Sequence, residues 1–178
     1  MTEDESIRNG QQISKYLFLI LFIGLIPFIA IFNLLTLNPD IKIFITIADL
    51  TRDWPGMTSA HNPLMSKIMD VYLKFYPVLC FLYAFITFTY TIPKDNPHIL
   101  KSIFAGLLII ALGALMIYYI SYCNHELTRE FRFHRIISHS DFFMTLFFML
   151  SFSALYIISS FSITGTIAII RLIIKGRG

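Results

Sequence analysis

Three charged side chains lie close together in an otherwise apolar part of the chain. Residues 62–77 read NPLMSKIMDVYLKFYP, in which Lys67, Asp70 and Lys74 are separated by three and then four positions. On a helix this spacing puts all three on one stripe, so that the carboxylate can pair with both ammonium groups. The chemistry that these residues offer is therefore ion pairing and hydrogen bonding, either inside the protein or with a partner.

Two interpretations of this stripe follow from its surroundings. Asn62 can accept a hydrogen bond from a free amide one turn further on, and Pro63 suits the first helical position, so a capped helix is predicted to begin here. The charges then belong to a helix extension at the membrane surface, where Lys74 can extend its ammonium outward. Alternatively, the stripe forms a partner-recognition surface together with Met65 and Met69, because methionine adapts its shape and charge sets partner choice.

A second group of side chains has the residue types of a metal site but not its spacing. His125 and Glu126 are followed by His134 and His139. The spacing is not the HExxH pattern of zinc enzymes, and the segment is a loop that contains several arginines. No Ser–His–Asp arrangement and no phosphate-binding loop is recognisable either. We therefore expect no metal, no cofactor and no enzymatic activity.

The composition is that of an integral membrane protein. Of the 178 residues, 56% are hydrophobic and 14% are charged, whereas a soluble domain carries about a quarter charged residues. The net charge of +3 is small and the basic residues are scattered, so no nucleic-acid partner is predicted. Cys80 and Cys123 are far apart in the sequence and form no CxxC pattern, so no thiol redox motif is indicated.

Long apolar runs that lack charged residues predict the architecture. A helix needs about 20 residues to cross about 30 Å of hydrocarbon, and four runs approach or exceed this length. We therefore predict an all-α polytopic membrane protein, a four-transmembrane-helix bundle that forms a single domain over residues 1–178. The predicted spans cover residues 16–37, 68–92, 103–122 and 142–170, the second of which joins the charged helix start to a charge-free run over residues 75–92.

The connections between the spans differ in kind. Residues 38–65 form a long loop that contains the apolar stretch 41–50, which is too short to span. This stretch either lies in the membrane interface, with Trp54 near headgroup depth, or packs as a loop segment on the spans. A second long loop covers residues 123–141 and contains three spaced arginines.

Four spans put both termini on the same side of the membrane. The basic residues near the spans are equally numerous on the two sides, so their count does not decide the orientation. Those on the side of the termini lie in shorter segments close to the helix ends, which favours cytoplasmic termini. The two long loops are then periplasmic.

Small residues recur at helical spacing in the last two spans. Gly106 and Gly113 share one face of the third span, and Ser160, Thr164 and Ala168 share one face of the fourth. Small residues let helices approach closely inside a membrane. We expect these stripes to serve packing within the bundle in the first place, and docking of an external helix as the alternative.

Three short blocks of the sequence resemble a known family. GLIPF at Gly24–Phe28, NPLMSKIMDVYLK at Asn62–Lys74 and NHELT at Asn124–Thr128 resemble the immunity proteins of colicin A-type, pore-forming bacteriocins. The blocks fall in the order and approximate spacing of that family, and the resemblance covers essentially the whole chain. The segment REFRFHR at Arg129–Arg135 departs from the family pattern, since it is bulkier and more basic.

The resemblance implies a function and a location. Such a protein lies in the bacterial inner membrane as a multi-pass protein with cytoplasmic N- and C-termini. It binds the C-terminal pore-forming domain of its cognate colicin within the bilayer and prevents channel opening, so its partners are that domain and lipid rather than a small-molecule substrate. The candidate partner-binding residues, either as contacts or as supports for contacts, are Lys67, Asp70, Tyr72, Lys74, Asn124 and Glu126.

Other functions remain open from the residues alone. A non-enzymatic accessory subunit of a membrane complex would have similar apolar spans. A small transporter is disfavoured, because transporters usually carry ionisable residues within their spans, whereas here the acids and bases lie near the span ends.

Overall fold

The chain forms a mostly helical structure in a computed structural model that describes residues 3–91, 99–129 and 132–175. Two strands of two residues each accompany the helices, namely β1 (Met57–Thr58) and β2 (His125–Glu126). The described helices are α1 (Glu3–Leu37), α2 (Lys42–Leu50), α3 (Pro63–Leu73), α4 (Tyr76–Thr87), α5 (Ile99–Tyr122), α6 (Arg132–Ser138) and α7 (Asp141–Lys175).

Three helical stretches in the described part of the chain are long and apolar enough to cross a membrane. They are Ile7–Leu37, Pro63–Thr87 and Asp141–Arg171. Within α5 the apolar stretch Gly106–Ile120 is shorter than this. The predicted helical class is therefore confirmed, whereas the predicted number of four spans is not, and the third span stays a prediction.

The second predicted span is divided into two helices. Helix α3 ends at Leu73 and α4 begins at Tyr76, with a tight turn in which the amide of Phe75 donates to the carbonyl of Tyr72 at 2.9 Å. Pro77 explains the division, because it has no amide hydrogen to donate to the carbonyl of Leu73, four residues earlier. The structure thus places a break inside the predicted second span. The span over residues 68–92 itself stays a prediction, and its end at residue 92 lies outside the described residues.

The core forms where α1, α3, α4 and α7 pack against one another. Large aromatic side chains are fully buried there, among them Phe28, Tyr83, Phe152 and Tyr156. Helix α5 packs on the outer side of α7.

The glycines of α5 allow it to approach α7 closely. A Cβ atom at Gly113 would lie 2.9 Å from Cγ2 of Ile158, and one at Gly106 would lie 3.2 Å from Cδ1 of Ile169. Both distances are shorter than an ordinary contact, so an alanine at Gly113 would force Ile158 to shift and one at Gly106 would displace the end of the Ile169 side chain. The prediction that these two glycines serve packing within the bundle is confirmed.

The two long loops contain more structure than the sequence predicts. The segment 38–65 contains α2 and β1, and the segment 123–141 contains β2 and α6. The two strands pair in parallel, with Met57 opposite His125 and Thr58 opposite Glu126. This pairing joins the loops at one end of the helix bundle.

Candidate partner-binding site

The carboxylate of Asp70 is the centre of the polar network at this end of the bundle. The residue is 0% exposed. Its Oδ1 accepts a hydrogen bond from the amide of Met57 at 3.0 Å, and its Oδ2 lies 2.7 Å from Nζ of Lys74. A buried carboxylate costs several kcal/mol unless it is paired and hydrogen-bonded, and here both oxygens have partners. The predicted Asp70–Lys74 pair is confirmed.

The two lysines of the stripe bind backbone carbonyls. Nζ of Lys67 donates to the carbonyl oxygen of Trp54 at 2.9 Å. Nζ of Lys74 donates to the next carbonyl, that of Pro55, as well as to Asp70. Lys67 and Asp70 of α3, together with Lys74 at its C-terminal end, therefore hold the segment Trp54–Met57, and we call this arrangement the clamp.

Glycine is required where the held segment passes Asp70. A Cβ atom at Gly56 would overlap the carboxylate, whose Cγ would be only 2.6 Å away. The Gly56 amide donates to Oδ1 of Asn124 at 3.1 Å, and its carbonyl accepts from the amide of His125, also at 3.1 Å. Gly56 thus lies between the carboxylate of α3 and the start of β2.

The NHELT block binds the same segment from the other side. Beyond the Asn124 contact, the amide of Leu127 donates to the carbonyl of Thr58 at 2.9 Å, and Oγ1 of Thr128 accepts from the amide of Ala60 at 2.9 Å. Two sequence blocks that are far apart in the chain therefore meet on one loop.

Tyr72 points into the helix bundle rather than toward the clamp. Its hydroxyl donates to the carbonyl of Gly24 at 2.9 Å. Its ring packs edge-on against Phe28, with centroids 4.9 Å apart, and nearly parallel to Phe152 at 5.7 Å. Tyr72 therefore joins α3 to the GLIPF block of α1 and to α7.

The predicted helix start is confirmed. Oδ1 of Asn62 accepts a hydrogen bond from the amide of Met65 at 3.2 Å, and Pro63 occupies the first turn. The sequence did not indicate the second contact of this side chain, in which Nδ2 donates to Oδ1 of Asp141 at 3.2 Å. Asn62 thereby joins the first turn of α3 to the first turn of α7.

An open groove of about 640 Å³ lies between α2, the clamp and β2. Apolar side chains of α2 and α3 form part of its wall. Charged side chains of both signs line it as well. One of them is Glu126, whose carboxylate pairs with Nε of Arg129 at 3.1 Å. Such a mixed lining suits a peptide segment that presents both apolar and charged groups. The polar and aromatic lining residues include Asp49, Arg52, Trp54, Lys67, Asn124 and Glu126.

Five of the six candidate residues gather in this region, and the sixth does not. Lys67, Asp70, Lys74 and Asn124 contact the segment Trp54–Met57, and Glu126 lies in the groove wall. Tyr72 belongs to the interior of the bundle, as described above. The sequence analysis missed the held segment and the α2 wall, although the Pro55–Gly56 pair beside the single tryptophan marked a tight turn.

The apolar helices, with a polar groove at one end of the bundle, are consistent with a helical membrane protein. A family model described as "Colicin immunity protein" matches residues 40–178. The chain therefore belongs to the colicin immunity protein family, and the resemblance inferred from the three sequence blocks is confirmed.

Two curated relatives give the degree of similarity. The chain is 30% identical over 156 residues to the Colicin-A immunity protein of Citrobacter freundii, which covers 88% of each chain. It is 28% identical over 144 residues to the Colicin-B immunity protein of Escherichia coli, which covers 79% of each chain. No solved structure matches the chain.

Proposed function

We propose that this protein protects a colicin-producing bacterium by binding the C-terminal pore-forming domain of its cognate colicin and blocking channel opening. The observation that carries the proposal is the family match over residues 40–178. The relatives named above are immunity proteins for colicin A and colicin B, and they are similar to this chain over most of its length. Inhibition by binding needs no catalytic group, so the protein acts as an inhibitor rather than an enzyme.

The proposed setting is the bacterial inner membrane, with four spans and cytoplasmic termini. Helix α5 supports the predicted third span and hence a total of four, because 24 helical residues extend about 36 Å, which exceeds the hydrocarbon thickness. At the end of the bundle opposite the clamp, Nη1 of Arg171 donates to the carbonyl of Thr91 at 2.6 Å, and its guanidinium lies 4.2 Å from the centre of the Phe88 ring. A cation at that end agrees with a cytoplasmic side there. The clamp and the groove then lie on the periplasmic side.

The candidate residues divide into two proposed roles. Asp70 and Lys67 are buried and bind the chain's own groups, so we assign them, with Lys74 and Tyr72, to positioning of the held segment and of α3. Glu126 and Asn124 are more accessible and line the groove, so we assign them to direct contact with the colicin domain.

A polar groove offers charged contacts to a partner, which two apolar helix surfaces inside lipid do not. Lipid tails are as apolar as leucine, so two apolar helices gain little from excluding lipid, and close packing with a few polar contacts must supply specificity. A groove with charges of both signs can discriminate between related colicins by charge complementarity. The cognate colicin is expected to present complementary charges to it.

The experiment that tests the function is protection of a sensitive strain. Cells that express the chain are challenged with pore-forming colicins, including A and B, while potassium efflux and survival are followed. We expect protection against one pore-forming colicin or a few, and none against a nuclease colicin, which serves as the control. Absence of protection, with the protein verified in the inner membrane, would contradict the proposal and favour an accessory subunit of a membrane complex.

A further inference from the structure

Helix α2 has an apolar flank that the described chain leaves exposed. The helix packs on α3, and Phe44, Ile47 and Ala48 are its partly buried residues. Ile43 is 64% exposed and Leu50 is 77% exposed. None of the nine residues of α2, all of which the structure describes, is fully buried. The contact with α3 therefore satisfies only part of the apolar surface of this helix.

The residues of α2 divide by position into a polar side and two flanks. Successive residues are about 100° apart around a helix, so Ile43 and Leu50, seven positions apart, share one flank. Lys42, Thr46 and Asp49 form the exposed polar side, next to that flank. Ile45 lies on the other flank and lines the groove. The exposed isoleucine and leucine thus face away from the groove.

The length and position of α2 point to the membrane surface. Nine helical residues extend about 14 Å, less than half of a hydrocarbon core, so the exposed flank does not belong to a membrane span. The first apolar helix, α1, ends at Leu37, which is 84% exposed, and α2 begins five residues later. The flank therefore follows the exposed end of an apolar helix after only a short turn of the chain.

Trp54 follows the end of α2 by four residues at the rim of the groove, and its backbone is fixed. Its side chain is 52% exposed. Its amide donates to the carbonyl of Thr51 at 3.0 Å, and its carbonyl accepts from Lys67 of the clamp. Tryptophan is enriched at the boundary between headgroups and acyl chains, because its ring is apolar and its indole N–H is polar. A half-exposed tryptophan that is held in place just after this helix fits that boundary.

We propose that α2 and Trp54 lie on the lipid bilayer, with Ile43, Leu50 and the indole ring in the acyl-chain boundary. The exposed Lys42 is the first residue of the helix, where its long side chain reaches lipid phosphates. Because the other flank of α2 lines the groove, the bilayer then supports one wall of the groove. This inference rests on the proposed membrane location but not on colicin binding.

The single tryptophan of the chain gives a direct test. The full-length protein is reconstituted in phosphatidylcholine–phosphatidylglycerol vesicles that contain phospholipid brominated either near the headgroup or near the end of the acyl chain. Because the sequence contains one tryptophan, the emission reports Trp54 alone. We expect the shallow bromines to quench it more strongly than the deep ones, and aqueous iodide to quench it weakly. The Ile43→Ser, Leu50→Ser double variant should lose most of the quenching by shallow bromines.

Ile45→Ser is the matched control, since it makes the same change on the same helix but on the groove flank. It should keep the quenching by shallow bromines. Strong quenching of the wild-type protein by iodide, with none by brominated lipid, would overturn the proposal. Protection from both quenchers would also overturn it and would indicate that a second copy of the chain covers the flank.

Colicin protection measured on the same variants separates this inference from the proposed function. A wild-type protein that shows quenching by shallow bromines but gives no protection against any colicin would retain the membrane-surface helix and contradict the immunity function. A protein that protects cells but shows no lipid quenching would contradict the membrane-surface helix alone.

Discussion

At the scale of single residues, charge at this site is used to hold backbone. The carboxylate of Asp70 binds an amide and an ammonium group, and the two lysines bind consecutive carbonyls of the held segment. Hydrogen bonds that involve a charged group are stronger than neutral ones, and a low-dielectric surrounding strengthens them further. The groups are interdependent, because removal of one leaves its partners buried without compensation.

Asp70→Asn should destabilise the protein by about 3–5 kcal/mol, the usual cost of removing one partner of a buried ion pair. The amide oxygen of asparagine can still accept from Met57, but the ammonium of Lys74 loses its counter-charge. Thermal unfolding of the purified protein in detergent measures the change. The double variant Asp70→Asn, Lys74→Met removes the uncompensated ammonium as well and should recover part of the stability. A single variant as stable as the wild type would contradict the clamp.

Gly56→Ala should destabilise the protein by about 1–3 kcal/mol or more, the usual cost of overpacking, because the new methyl group overlaps the Asp70 carboxylate. Gly165→Ala in α7 is the matched control, since a Cβ atom there meets nothing within 4 Å. The control should change stability by no more than about 1 kcal/mol. Unfolding temperatures of the two variants, measured side by side in detergent, decide the question, and equal effects would contradict a requirement for glycine at residue 56.

At the scale of the elements, local signals were predictable and long-range ones were not. The Asn62–Pro63 helix start and the Asp70–Lys74 pair depend on residues within one helical turn of each other, so the sequence predicts them. The acceptor for Lys67 is a backbone carbonyl 13 residues away, and no spacing rule points to it. Partners of this kind are fixed only by the tertiary fold.

The two short strands and the break between α3 and α4 were missed, each for its own physical reason. The strands β1 and β2 have two residues each, too few for an alternating pattern to be visible. The break between α3 and α4 was missed because the capped helix was extended into the charge-free run after Lys74, while the effect of Pro77 falls on the carbonyl of Leu73. Hydropathy shows how far an apolar run extends, whereas the capacity of the backbone to form hydrogen bonds decides where a helix ends.

Exchange of residues 123–141 for the corresponding loop of a family relative, such as the Colicin-B immunity protein, should shift which colicin is neutralised. This loop departs from the family pattern after Thr128, and its first residues line the groove. Protection against the colicins of both parents measures the shift. A control chimera exchanges only the segment after Thr128, which leaves the Asn124–Thr128 contacts with the held loop intact. Unchanged specificity in the full exchange would contradict the assignment of discrimination to this loop.

At the scale of the whole molecule, the proposed roles divide stability and recognition between neighbouring layers. The interior layer consists of the clamp and of Tyr72, which joins α3 to α1 and α7. The outer layer is the groove, whose charged residues Asp49, Arg52 and Glu126 are more accessible. A fixed interior allows the outer residues to differ between relatives without loss of the fold, which is how one scaffold can serve different partners.

The division predicts that Glu126→Lys lowers protection without lowering stability. The carboxyl group lies at the groove wall and is partly exposed, so its replacement should change the free energy of unfolding by no more than about 0.5 kcal/mol, apart from the loss of the Arg129 pair. Reversal of its charge places a like charge opposite any basic group of the partner, which weakens binding and slows association. The measurement is survival under colicin challenge, divided by the amount of protein in the inner membrane.

Asp70→Asn is the comparison that makes this result interpretable. It should lower the amount of folded protein and hence total protection, while the protection per folded molecule changes less than in Glu126→Lys. If Glu126→Lys instead gave full protection per molecule at every colicin concentration, the groove wall at this residue would not contact the colicin. Recognition would then have to lie on the apolar surfaces of the helices, such as those of α5 and α7 near their close contact at Gly113 and Ser162.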